Sequence, residues 1–91
     1  MLSQEFTIVN KLGLHARAAA VFVQLAGTFS SEVEIFKESL KVNGKSIMGV
    51  LMLAAACGSQ IKLEISGDDE QQAMSALGEL IKDGFGELEG D

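Results

Sequence analysis

Apolar and polar residues alternate along this chain in several short blocks, interrupted by three blocks with a longer period. From about Gln4 to Val9 the alternation places Phe6 and Ile8 on one face, the pattern of a half-buried strand. Glu32 to Lys37 sets Val33 and Ile35 against Glu32 and Glu34. Leu40 and Val42 continue a second short strand beyond a Glu38-Ser39 turn, and Asn43-Gly44 closes it. Gln60 to Ser66 alternates most cleanly, with Ile61, Leu63 and Ile65 on one side and Lys62 and Glu64 on the other. Between these blocks, Ala16 to Ala26 is rich in Ala and free of helix breakers, with Ala18, Phe22, Leu25 and Phe29 at helical spacing and Gly27 as C-cap. Glu70 to Asp83 repeats the helical period through Ala73, Met74, Leu77, Leu80 and Ile81. Asp69 with Gln72 resembles a capping box, and Gly84 ends the helix.

One-sided alternation is the mark of antiparallel strands with one solvated face, and the helices must cover the other. The predicted fold is therefore α/β of the α+β kind. It is an open-faced two-layer sandwich, a four-stranded antiparallel sheet with three helices on one face, in the order βαββαβα. The chain of 91 residues suits one domain, residues 1–91.

The middle helix, predicted from Ser46 to Ala56, is apolar nearly all round. A helix on a sheet needs an apolar stripe of somewhat more than about 100°. Val50, Leu53 and Ala54 suffice for that, which leaves Ile47, Met48, Leu51 and Met52 pointing elsewhere. Either the Cys57–Ser59 loop or another helix covers these four, or they form a docking patch for a partner, a role that adaptable Met side chains suit. Ser46 reads as the N-cap of this helix.

Composition narrows the function. Thirteen acidic residues against seven basic give a net charge of −6, which argues against nonspecific nucleic-acid binding. Acidic residues crowd at Asp68, Asp69 and Glu70 and again at Glu87, Glu89 and Asp91, and the tail after Phe85 reads as frayed. Thr7 to Thr28, in contrast, holds Lys11 and Arg17 and no acidic residue, a positive region on an acidic chain. Cys57 is the only cysteine, so no internal disulfide is possible. No basic-then-apolar leader opens the sequence, and no apolar run reaches membrane-spanning length. The expectation is a cytoplasmic protein without membrane insertion.

The single histidine carries the most chemistry. It stands in Gly13-Leu14-His15-Ala16-Arg17, where His15 falls at the N-cap of the alanine-rich helix. Free backbone N–H groups and the positive helix end converge there. That setting disfavours imidazolium and leaves a ring nitrogen free to attack phosphorus. The amides of Ala16 and Arg17 are placed to hold phosphoryl oxygens, and the Arg17 guanidinium adds a charge-assisted bond. Gly13 lets the preceding loop bend close to the site. A surface histidine satisfying a backbone donor is the plainer reading of the same residue. One His and one Cys without ligand spacing give no metal site, and no second His exists to build a triad.

The segment from Asn10 to Ala20, Asn-Lys-Leu-Gly-Leu-His-Ala-Arg-Ala-Ala-Ala, resembles the active-site segment of HPr. HPr is the histidine-containing phosphocarrier family of the bacterial phosphoenolpyruvate-dependent sugar phosphotransferase system. Lys45 to Leu53 resembles that family's second signature, around its regulatory serine. The resemblance implies a carrier rather than an enzyme, with no cofactor. Phosphorylated Enzyme I would load His15 at Nδ1 with Arg17 assisting, and a IIA-type Enzyme II component would receive the group. It also implies that Ser46 is the target of an HPr serine kinase/phosphorylase, its phosphate falling beside the apolar patch. Many members of the family have Pro immediately after the arginine, where this chain has Ala18; the departure bears on exchange rate or partner preference. Two other roles fit the same residues: a carrier in the nitrogen-related regulatory branch, and a regulatory protein that binds its partner through phosphorylated Ser46.

Overall fold

A computed structural model of the chain describes residues 1–87. The elements follow the predicted order: β1 (Leu2–Thr7), α1 (Ala16–Ala26), β2 (Glu32–Lys37), β3 (Leu40–Asn43), α2 (Ile47–Met52), β4 (Gln60–Ser66) and α3 (Glu70–Lys82). A 3-10 turn at Gly84–Gly86 follows α3. The four strands form one antiparallel sheet in the order β1-β4-β2-β3, so β4, the most regularly alternating segment, lies inside it.

Register explains the core. Phe6 lies opposite Ile61, Leu63 opposite Ile35, and Ile65 opposite Val33. Because side chains alternate with period two, that pairing brings all six onto the same face. There they meet Ala18, Ala19, Phe22 and Ala26 of α1, Val50 of α2, and Ala73, Met74, Leu77 and Ile81 of α3. Each fully buried Ile or Leu contributes about 1.5–3 kcal/mol relative to exposure. The opposite face is wet: Lys62 lies 4.7 Å from the centre of the Phe36 ring and 3.2 Å from Glu64.

The differences from the sequence reading have local causes. β1 starts and ends two residues earlier than predicted, because its ladder with β4 runs out at Thr7 opposite Gln60. Ile8 is still buried, its backbone bonded to Ser59 and Gly58. On α1 the buried face is Ala18, Ala19, Phe22 and Ala26, while Leu25 and Phe29 are half-buried at its margin. Helix α2 is half the predicted length. It stops at Met52 because Ala54 turns left-handed at φ 50°, and Ala54 points to solvent instead of the core. Leu53 and Ala55 are the buried residues of that segment.

The predicted capping box at α3 does not form. The Asp69 carboxylate instead accepts hydrogen bonds from the backbone amides of Ser30 (2.9 Å) and Ser31 (3.0 Å) and from the Ser31 hydroxyl (2.5 Å). Those bonds pull its pKa down to about 2. Glu70 supplies the local contact, accepting from the Gly67 amide at 3.1 Å.

Candidate functional site

The β1–α1 connection is a tight turn fixed at both ends. The Gly13 amide donates to the Asn10 carbonyl at 3.1 Å, and the Asn10 side-chain amide donates to the Gly13 carbonyl at 2.8 Å. Leu14, buried, donates its N–H to the Ala55 carbonyl at 2.9 Å, which ties the turn to the loop after α2. Gly13 has φ 66°, and a Cβ there would press into the same Ala55 carbonyl oxygen. Gly13 does permit a close approach, but to the loop after α2 and not, as the sequence suggests, to the site itself.

His15 is the N-cap of α1, in extended conformation, and its carbonyl accepts from Ala19 at 2.8 Å. Its ring makes no capping bond to the helix, against the plainer reading of His15 as a backbone-satisfying surface residue. Helix geometry leaves the amides of Ala16, Arg17 and Ala18 without a helical acceptor, and none has one among the described residues. Arg17 is exposed in the first turn and forms no ion pair among the described residues. Ala18, at the position of the family's common proline, is fully buried.

The His15 side chain is 26% exposed, and its Nε2 lies 2.5 Å from Glu87 Oε2. Glu87 is itself buried. Its other oxygen accepts from Asn10 Nδ2 at 2.8 Å, so one Asn10 amide group holds both the turn and the carboxylate. The Asn10 bond, with the contact to His15, holds the Glu87 carboxyl below the usual carboxylate range, against the opposing effect of desolvation. The region expected to be locally positive thus receives one acidic group from outside Thr7–Thr28. Glu87, expected in a frayed tail, is an ordered part of the site, reached through the 3-10 turn. Glu89 and Asp91 lie outside the described residues.

Ser46 caps α2 as expected, its Oγ accepting from the Gly49 amide at 3.1 Å. Of the four apolar α2 residues, Ile47, Met48 and Met52 are exposed, at 44%, 71% and 64%. Leu51 is half-buried against the core and contributes less to any patch. Leu12, in the turn before His15, is also exposed. Among the described residues no cluster of side chains is arranged to hold a metal, and no helix is long and apolar enough to cross a membrane.

Residues 2–83 match the family model described as "PTS HPr component phosphorylation site". The chain belongs to the HPr family. Phosphocarrier protein HPr of Cupriavidus necator is 56% identical over 89 residues, 98% of this chain and all of that one. The HPr of Neisseria meningitidis is 57% identical over the same shares. The crystal structure of HPr-C-His from Thermoanaerobacter tengcongensis superposes with a TM-score of 0.91 at 49% identity, covering 94% of this chain and 97% of that one. As an HPr, the protein is a phosphocarrier of the phosphotransferase system and not an enzyme in its own right. These relatives do not favour the regulatory-branch or Ser46-binding alternatives.

Sequence reasoning missed Glu87 and the side-chain role of Asn10. Asn10 stood inside the HPr-like segment, but nothing local marked its amide as a double donor. Glu87 lies beyond the family match and is 72 residues from His15, so no spacing rule reaches it.

Proposed function

We propose that His15 Nδ1 is the atom that carries the phosphoryl group. The observation that carries this reading is that Nε2 is taken up by Glu87 while the ring stays accessible at the mouth of α1. A nitrogen facing a carboxylate keeps its proton, so in the neutral ring the lone pair sits on Nδ1. In loading, that pair attacks phosphorus and forms the N–P bond, and the bond to the donor's leaving group breaks with its pair. Delivery reverses the step onto an acceptor, and the pair returns to Nδ1. The free amides of Ala16 and Arg17 and the Arg17 guanidinium are the groups that meet the phosphoryl oxygens.

Both transfers take place against other proteins: this domain brings the nucleophile and the anion donors, and each partner brings the group that gives or receives the phosphoryl. The donor is phosphorylated Enzyme I and the acceptor a IIA-type Enzyme II component, and both meet the protein in the cytoplasm. Ile47, Met48 and Met52, with Leu51 at the edge, supply the apolar docking surface. The bond from Leu14 to Ala55 supports this, because it fixes the His15 turn to the loop that leaves α2. Ser46 sits at the start of the same helix, and phosphorylation there by an HPr serine kinase/phosphorylase would set two negative charges beside that surface. A Ser46→Asp variant should load more slowly while keeping its melting temperature, because Asp is also a good N-cap.

Enzyme I and labelled phosphoenolpyruvate provide the test. The wild type should take up acid-labile, alkali-stable label, and His15→Ala should take up none. Label of any other stability, or label retained by His15→Ala, would remove the basis of the proposal.

A further inference from the structure

We infer that Glu87 is a positioning residue for the phosphoryl transfer: held by Asn10, it fixes His15 in the tautomer that exposes a lone pair on Nδ1. The inference rests on His15 being the phosphoryl acceptor, and goes beyond it by assigning a residue outside the stretch 2–83 that the family model matches.

One chain of hydrogen bonds runs from the β1–α1 turn to the imidazole. The Gly13 carbonyl accepts from Asn10 Nδ2 at 2.8 Å, and a carbonyl can only accept, so the Asn10 amide is orientated with its NH2 toward Gly13. The same NH2 donates to Glu87 Oε1 at 2.8 Å. Glu87 Oε2 then faces His15 Nε2 at 2.5 Å, and an ionised carboxylate can only accept. The Nε2 position must therefore carry a proton, and in the neutral, nucleophilic ring that is the only one. The directionality is set at a backbone carbonyl and ends at the imidazole. Asn10 and Glu87 are both buried, so water does not readily replace either partner.

This arrangement serves both directions of transfer. On loading, the neutral ring presents its lone pair at Nδ1. Once Nδ1 is phosphorylated the ring becomes cationic, and the carboxylate opposes loss of the Nε2 proton. On delivery the ring then leaves as neutral imidazole; without that proton it would have to leave as the far poorer imidazolate. No proton enters or leaves in either step.

The decisive variant is Glu87→Gln, because its two ends are not equivalent. Asn10 still presents NH2 and requires the Gln oxygen, which turns the Gln NH2 toward His15. Nε2 must then accept, and the proton moves to Nδ1, the nucleophilic position. Glu87→Ala leaves the ring to its own preference between tautomers. The expected order of loading by Enzyme I is wild type, then Ala, then Gln, with Gln slower than wild type by as much as about 10⁴-fold, the cost of a wrong histidine tautomer in a catalytic triad. A merely structural latch predicts the reverse order of the variants, since Gln keeps the shape that Ala removes. Charge alone predicts that both variants load faster than wild type, because removing a carboxylate favours approach of a phosphoryl dianion.

The independent readout is the ¹⁵N spectrum of the His15 ring in unphosphorylated protein, which needs no partner. Wild type should show Nε2–H and Glu87→Gln should show Nδ1–H. A Gln variant that keeps Nε2–H, or one that loads at the wild-type rate, would overturn the assignment of Glu87. If wild type itself fails to take label on His15, the acceptor reading fails, and the ring spectrum still decides what Glu87 does to the imidazole.

Discussion

At the scale of single residues the site depends on one small ring and its surroundings: helix amides and a guanidinium placed to donate to a phosphoryl group, and a carboxylate that accepts the ring's Nε2 proton. Arg17 is exposed and has no ion-pair partner among the described residues, so its charge is available to an incoming phosphate. Replacing it by Ala removes a charge-assisted bond worth about 1.5–3 kcal/mol, and loading of His15 should fall by about 10- to 100-fold with no change in folding. Arg17→Lys should recover only part of that loss, because a point charge cannot form the paired bonds of a guanidinium. His15 and Arg17 were legible in the sequence because a helix N-terminus is a local construction: five consecutive residues determine it. Asn10 and Glu87 were not, since their partnership depends on where α3 ends in space, and an acidic C-terminal segment gives no sign of which carboxylate turns inward.

Elements position those residues, and their lengths matter more than their identities. The β1–α1 turn is pinned where Leu14 meets Ala55, and Gly13 permits the approach. Gly13→Ala places a Cβ against a carbonyl oxygen at a positive φ. The variant should lose more than about 1 kcal/mol in denaturant unfolding and should load slowly, since the turn carries His15 with it. Helix α2 was legible as a helix with an excess of apolar surface, and the excess is real for Ile47, Met48 and Met52. Its end was not legible, because Ala54 has high helix propensity and leaves the helical region only to bring Ala55 beneath Gly13. The patch is open to a direct test. A Met48→Ser, Met52→Ser double variant should unfold like the wild type, yet exchange phosphoryl groups more slowly, on the order of tenfold, as for loss of an interface anchor. Wild-type exchange by a stable double variant would mean that partners dock elsewhere.

Across the whole molecule, strand alternation made the fold readable, since Phe6, Val33, Ile35, Ile61, Leu63 and Ile65 stood out as inward positions from period two alone, whereas Leu2, also packed on the core, lay before the expected start of β1. Leu63, fully buried on the central strand β4, should cost about 2–5 kcal/mol when cut to Ala, a large share of the roughly 5–15 kcal/mol available to a domain. A long-range polar contact also crosses the fold, from Asp69 at the start of α3 to Ser30 and Ser31 before β2. With its folded pKa at about 2, below the unfolded value near 4, Asp69 stabilises the native state fully above about pH 4. That contribution disappears as pH falls toward 2. Ser31→Ala should flatten the acid limb of stability in urea titrations between those values, with the full loss seen above about pH 4 and the two proteins converging toward pH 2. The pH trend has no bearing on phosphate chemistry, which rests on the atom that bonds phosphorus. The direct measurement is the ³¹P–¹⁵N coupling in protein loaded by Enzyme I and labelled at the His15 ring. Coupling to Nδ1, with the proton still on Nε2, is the predicted result; phosphorus bonded to Nε2, or to any other side chain, would contradict it.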